Sequence, residues 1–220
     1  MKTAEAPAIL RERRKTPPFD DGRRRYYDRD LGVTVVKVFA GECRITSSPS
    51  EMLATVLGSC VAACVHDPVA GVGGMNHFML PESPSRISGG VISTLRYGNL
   101  AMCALIDGVL AMGGHRERLQ ITVFGGGNVM DFDARIGDQN ADFVEQYLRE
   151  EGFMNTTKDL RGDRPRRVHF FPTTGKAKRL LLCRKTDFDI FGNELTYRRR
   201  LSGLPRGPVI ADPTYWRDGR

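Results

Sequence analysis

Thr55-Val-Leu-Gly-Ser-Cys60-Val-Ala-Ala-Cys-Val-His66 and, beyond Asp67-Pro-Val-Ala70, Gly71-Val-Gly-Gly-Met-Asn-His77-Phe-Met-Leu-Pro81 are the stretch around which the 220-residue chain is organised. Two apolar runs separated by four turn-forming residues read as a β-hairpin. With Asp67-Pro-Val-Ala70 as the loop, His66 faces Gly71, Cys64 faces Gly73, Ala62 faces Met75 and Cys60 faces His77. Opposed residues of an antiparallel pair hold their Cβ atoms ~4.5–5.5 Å apart, near enough for a thiol and an imidazole to exchange a proton. The pairing depends on register, because a slip of one residue sends His77 to the other face. Ahead of the thiol, Leu57-Gly58-Ser59 is a turn that sets Cys60 at the head of a strand and aims backbone N–H groups at one point, as an oxyanion site requires.

The other candidates in this region read differently. Along a strand Cys60 and Cys64 are ~13 Å apart, too far for a disulfide or a shared metal, so no metal and no cofactor is expected. A Cys-x3-Cys-x-His zinc site would need the run to be helical or irregular. His66, His115 and His169 have no comparable partner in sequence and read as structural or surface residues. Phe124-Gly-Gly-Gly-Asn128 follows an apolar strand but lacks the spacing of a phosphate-cradling loop, and reads as a tight turn packed near the site.

Composition bounds the class. With 40% hydrophobic residues the chain can bury one sizeable core. No apolar run reaches the length of a membrane span, and the N-terminus lacks a secretory apolar stretch, so a cytoplasmic protein is expected. Five cysteines, an odd number without dense spacing, read as reduced thiols. The net charge of +7 lies in the two ends: nine Lys/Arg against six Asp/Glu in residues 1–30, six against two in 195–220, and eighteen of each between. It therefore says little about what the central part binds, and no specific nucleic-acid partner is expected.

Along the chain, residues 1–30 read as a flexible basic arm, 31–192 as one domain and 193–220 as a basic tail. Strands are expected at residues 33–39, 43–46, 119–124, 153–157, 168–171 and 178–183, besides the hairpin. One helix is expected over residues 99–112, with Leu95, Met102, Cys103, Ile106, Val109 and Leu110 on its apolar stripe, which makes Cys103 a core thiol. A second starts near Asp138 as N-cap and buries Phe143, Val144, Tyr147 and Leu148. The polar segment of residues 82–90 follows the histidine strand directly. Asn76, Glu82 and Arg86 are the candidates for a substrate rim. The fold class is α+β.

Leu57-Gly-Ser-Cys-Val-Ala-Ala-Cys64, Gly73-Gly-Met-Asn-His-Phe-Met-Leu-Pro81, Arg96-Tyr-Gly-Asn99, Val123-Phe-Gly-Gly126 and Phe170-Phe-Pro-Thr-Thr-Gly175, in that order, resemble the CheD family of chemoreceptor glutamine deamidases. The first two motifs together are specific. The resemblance runs from about Val33 to Leu182 and implies an α/β sandwich like the catalytic domain of the cytotoxic necrotising factor toxins. It also implies hydrolysis of selected glutamine side chains on methyl-accepting chemotaxis receptors, with Cys60 as nucleophile and His77 as base. A threonine just upstream of the Gly-Ser-Cys turn is the family's third active-site residue. Thr55 stands there, with Ala54 at the alternative spacing. The resemblance further implies the cytoplasmic domains of those receptors, and a CheC-type phosphatase, as partners. The family's Gly-Gly near the basic loop is Arg161-Gly162 here. A non-catalytic chemotaxis adaptor and a Cys-His thioesterase or peptidase are the alternative functions.

Overall fold

The computed structural model describes residues 24–79, 92–129 and 135–182, with side chains in the first helix from residue 98 onward. In chain order the elements are β1 (Arg25–Asp28), β2 (Val33–Lys37), β3 (Glu42–Thr46), β4 (Glu51–Leu57), β5 (Val61–Asp67), β6 (Val72–His77), α1 (Ile92–Ala111), a 3-10 turn (Arg116–Arg118), β7 (Gln120–Gly125), α2 (Ile136–Glu150), β8 (Thr156–Leu160), β9 (Arg166–Phe171) and β10 (Lys176–Leu181). They build two five-stranded mixed sheets, ordered β1-β2-β4-β9-β10 and β3-β6-β5-β7-β8. The pairs β2/β4 and β7/β8 are parallel and all others antiparallel. Both helices pack on the second sheet. The architecture is therefore sheet, sheet, helices: an α+β sandwich.

This layering explains why β5 lacks the polar alternation of a half-exposed strand. Every residue from Val61 to Asp67 is buried. Val61, Ala63 and Val65 pack with Met102, Leu105, Val109 and Val144 of the helices. Cys60, Ala62 and Cys64 face the first sheet, among Leu53, Leu57, Met75, Val168 and Phe170. A strand covered on both faces reads as one apolar run. Each large side chain sealed between the sheets contributes about 1.5–3 kcal/mol. No helix of the described residues is long and apolar enough to cross a membrane.

Three sequence expectations are corrected. Residues 25–28 of the expected flexible arm form β1, antiparallel to β2, because Tyr26 packs against the small cluster of Val33, Val35, Met52 and Ala54. Cys103 is exposed rather than a core thiol: the buried stripe of α1 runs through Met102, Leu105, Ile106 and Val109, and Cys103 sits at its edge, 3.7 Å from the Tyr147 hydroxyl. Asp138 is not the N-cap of α2. That position is Arg135, and Asp138 accepts instead from Asn128 Nδ2 at 2.9 Å. The expectations for residues 1–23, Leu95, Cys183 and the tail of 193–220 fall outside the described residues or side chains.

The hairpin exists, but its register is two residues from the expected one. Cys64 pairs with Met75, His66 with Gly73 and Asp67 with Val72, and Val61 bridges Phe78. The loop is residues 68–71, because Gly71 takes φ +62 and donates its N–H to the Asp67 carbonyl at 2.9 Å. A residue in that left-handed region is favoured as glycine, so the turn closes one position later. An even shift preserves the face.

Asp67 fixes this turn. Its fully buried carboxylate accepts from the N–H groups of Val69 and Ala70 at 2.8 and 3.0 Å, from His115 N–H at 2.7 Å, and from the Arg118 guanidinium. Burial alone would raise its pKa, but Arg118 and the backbone donors more than offset that and hold the carboxyl well below the usual range. Asp67→Ala leaves these donors unpaired and is expected to lower unfolding stability by roughly 2–4 kcal/mol, read as a lower urea midpoint.

Candidate active site

Thr55 and His77 meet across the two sheets, and the strand register sets Cys60 on the same face as His77. Thr55 projects from β4 of the first sheet, in line with Leu53 and Leu57. His77 ends β6 of the second, and Cys60 stands just ahead of β5. In the observed register the residue opposite His77 is Ala62, so Cys60 is its diagonal neighbour on the same face, within reach of long side chains. Cys60, Ser59 and His77 retain only 3%, 7% and 7% exposure and Thr55 has none.

The hydrogen bonds around Thr55 determine the histidine tautomer. Thr55 Oγ1 donates to the Val38 carbonyl at 2.7 Å and lies 2.8 Å from His77 Nδ1. A hydroxyl has one proton, and a carbonyl can only accept. The Thr55 proton is therefore spent on Val38, and His77 Nδ1–H must donate to Thr55. The 3.4 Å approach of Nδ1 to the same carbonyl requires the same proton. His77 Nε2 is left as the lone-pair nitrogen, buried and without a hydrogen-bond partner. Burial pushes the imidazole down to about 4, although the Val38 carbonyl and Glu42 act the other way. His77 is therefore neutral at pH 7, with Nε2 left as a proton acceptor.

The turn carrying Cys60 is short because residues 58–60 take the chain from the first sheet to the second. Each of its carbonyls is bound from behind: Gly58 by Gly127 N–H at 2.9 Å, Ser59 by Asn140 Nδ2 at 2.8 Å, Cys60 by Gly126 N–H at 2.8 Å. Across a trans peptide the C=O and the following N–H point opposite ways. The N–H groups of Ser59 and Cys60 therefore point away from the glycine loop and α2. That loop is itself held from the next layer out, by Arg161 N–H on Gly125 and Asn128 N–H on the Gly162 carbonyl. Arg161 has φ +68 and pairs with Asp142 and Glu145 of α2 at 2.5 and 2.8 Å.

Of the rim candidates, Asn76 is corrected. It is fully buried on the face opposite His77, where Oδ1 accepts the Ala63 N–H at 2.8 Å and Nδ2 donates to the Ala101 carbonyl at 2.9 Å. It ties β5 to α1 where the β5–β6 ladder is interrupted. Glu82 and Arg86 lie outside the described residues. His66 donates Nδ1–H to the Pro172 carbonyl at 2.7 Å, a structural contact between the sheets. Cys64 is buried and its thiol is pushed far up by burial, which suits a core residue. Among the described residues no cluster of three or more His, Cys, Asp or Glu could hold a metal. A cavity of about 340 Å³, lined by Cys64, His66, Thr122, Thr156 and Gly175 among others, includes neither Cys60 nor His77. The Val38 carbonyl, Asn140 and Glu42 were missed in sequence. The one signal available was Asn140, a polar residue at a buried helical position.

The fold and these side chains define an α+β protein with a cysteine, a neutral histidine and a threonine gathered between two sheets. A family model described as CheD chemotactic sensory transduction matches residues 79–179, a span that starts just past His77. A Rhodopseudomonas palustris protein named "Probable chemoreceptor glutamine deamidase CheD" is 50% identical over 185 residues, 84% of this chain and 87% of its own. Proteins of the same name from Saccharophagus degradans and Cupriavidus metallidurans are 44% and 45% identical, over 82% and 84% of this chain and 85% and 86% of theirs. Among solved structures, a Bacillus licheniformis hypothetical protein YfiH overlaps 54% of this chain and 50% of that one at 12% identity and a TM-score of 0.35, a likeness too slight to argue from. The chain belongs to the CheD family of chemoreceptor glutamine deamidases and is by that membership an amide hydrolase.

Gly125 is the point where the site tolerates least change. Its φ is +115, and a Cβ there would lie 2.1 Å from the Cys60 carbonyl oxygen. Gly125→Ala is expected to displace the Cys60 turn and lower stability by roughly 2–4 kcal/mol, read in thermal and urea unfolding.

Proposed function

We propose that this protein deamidates glutamine side chains on the cytoplasmic domains of methyl-accepting chemotaxis receptors by a thiol mechanism. Cys60 is the nucleophile, His77 the base and Thr55 the residue that sets the base. The observation that carries the reading is the hydrogen-bonded line from the Val38 carbonyl through Thr55 to His77 Nδ1, which leaves Nε2 as a lone pair on the face that bears Cys60. The substrate class comes from the names of the relatives.

In this mechanism His77 Nε2 takes the Cys60 proton and the thiolate adds to the δ-carbon of the glutamine amide. The resulting oxyanion is met by the N–H groups of Ser59 and Cys60, which the anchored carbonyls of Gly58 and Ser59 hold in one direction. The tetrahedral adduct collapses as the amide nitrogen takes the proton from Nε2 and leaves as ammonia. A water molecule, deprotonated by the same nitrogen, then adds to the thioester. Release of the thiolate, which recovers its proton from His77, leaves glutamate on the receptor. Each proton moves through Nε2, so the Nδ1–H tautomer must persist through both halves of the cycle.

The test is to incubate a purified receptor cytoplasmic fragment with the protein and look by peptide mass spectrometry for conversion of Gln to Glu. Wild type is expected to convert specific glutamines and Cys60→Ala none. Equal conversion by Cys60→Ala contradicts the assignment.

Thr55→Ala removes the hydroxyl between Nδ1 and Val38 and is expected to lower kcat on the order of 100-fold, with Thr55→Ser retaining most of it. The pH profile has a defined sign. A base is active when unprotonated, so activity falls as pH drops through its pKa, and the acid limb of kcat/KM is expected well below the unperturbed imidazole value of 6.5, toward about 4.

A further inference from the structure

The peptide between Val38 and Phe39 is hydrogen-bonded on both sides. Its carbonyl accepts from Thr55 at 2.7 Å and lies 3.4 Å from His77 Nδ1. Its N–H donates to Glu42 Oε2 at 3.1 Å. The other carboxylate oxygen of Glu42 is bound by the Arg24 guanidinium, which also lies over the Phe39 ring. Glu42 stands directly opposite His77 on the adjoining strand, and Gly41 N–H donates to the His77 carbonyl at 2.7 Å. Residues 38–42 thus wrap the histidine, and a carboxylate sits at the far end of the line that fixes its tautomer.

We propose that Glu42 is a positioning residue for the amide hydrolysis, acting on His77 through the Val38–Phe39 peptide. The inference rests on the reading of His77 as the base. Its carboxylate does two things. By accepting the Phe39 N–H it fixes the plane of the peptide, which keeps the Val38 carbonyl aimed at Thr55 and Nδ1. By polarising that amide it makes the carbonyl a stronger acceptor, since linked hydrogen bonds reinforce one another. When Nε2 takes the thiol proton, the imidazolium charge develops beside a chain that ends in a negative charge. The ordinary solution in hydrolases places a carboxylate on the histidine itself. Here a peptide and a hydroxyl are interposed, and the carboxylate stays nearer solvent, its side chain 22% exposed.

Arg24 balances it. The guanidinium is on the solvent side, 66% exposed, so its removal should leave the fold intact and free the Glu42 charge to act on His77. Arg44 lies two residues along β3 on the same face as Glu42, and Cys60 is the diagonal neighbour of His77 on the other side of β6. Lys37 belongs to the opposite face of β2, with its amino group over the Tyr26 ring.

The experiment measures the His77 imidazole by ¹⁵N NMR titration, with kcat and KM for receptor-fragment deamidation, in the full-length wild type, Glu42→Gln and Arg24→Gln. Glu42→Gln keeps an acceptor for the Phe39 N–H but loses the charge. It is expected to lower the His77 pKa and to reduce kcat by about three- to tenfold, with KM little changed. Arg24→Gln is expected to move the His77 pKa upward. An unchanged His77 titration in Glu42→Gln, with or without a loss of kcat, overturns the proposal, as does a shift of the same sign in both variants. The titration reads Glu42 independently of turnover, so deamidation surviving in Cys60→Ala would count against the parent reading and leave this coupling to be judged by its own data.

Discussion

The hydroxyl of Thr55 lies between the Val38 carbonyl and the His77 ring, and the rest of the site follows from how that one proton is used. Because a carbonyl cannot donate, the proton goes to Val38, and the imidazole is obliged to donate from Nδ1. The nitrogen left with a lone pair is thereby chosen by a residue of the other sheet. Two packed sheets can make this contact only if Thr55 on β4 and His77 on β6 are inward-facing at the same level. The core of Leu53, Leu57, Met75, Val168 and Phe170 holds the sheets in that relation. The packing that stabilises the fold is the same packing that fixes the His77 ring.

The proposed nucleophile is held by a separate device. A three-residue passage from one sheet to the other carries no regular structure of its own, so its conformation must come from its neighbours. The glycine loop after β7 and Asn140 of α2 bind its three carbonyls, and residues 161–162 bind the glycine loop in turn. Rigidity is passed inward through successive layers, and each layer uses backbone groups that water would otherwise satisfy. Arg161 belongs to this scheme. It occupies a left-handed conformation that would suit glycine, and its guanidinium, bound to Asp142 and Glu145, anchors the loop to α2 at the cost of that backbone strain.

Much of this was legible in the sequence where side-chain pattern controls structure. The hairpin, its buried second strand and the common face of Cys60 and His77 follow from apolar periodicity, and the face survives the register shift because the shift is even. The shift itself was not legible, since it depends on which residue of the turn takes φ > 0, and four consecutive residues from Pro68 to Gly71 fit a loop as well as Asp67 to Ala70 do. Asn76 illustrates a second limit. A polar residue beside a candidate base reads equally as a substrate contact or as a replacement for a missing ladder bond, and only the break in the β5–β6 pairing decides it. Cys103 fell one helical step outside the stripe to which it was assigned. The Val38 carbonyl could not be found at all, because a main-chain acceptor has no signature in residue identity, and the part proposed for Glu42 was hidden with it.

The proposed chemistry turns on which nitrogen of His77 bears the proton. Long-range ¹H–¹⁵N correlation spectra of the uniformly ¹⁵N-labelled protein at neutral pH read the tautomer directly. The Thr55 hydrogen bonds require a His77 ring with a protonated, pyrrole-like Nδ1 and an unprotonated, pyridine-like Nε2. A His77 ring protonated at Nε2, or doubly protonated at that pH, would contradict it.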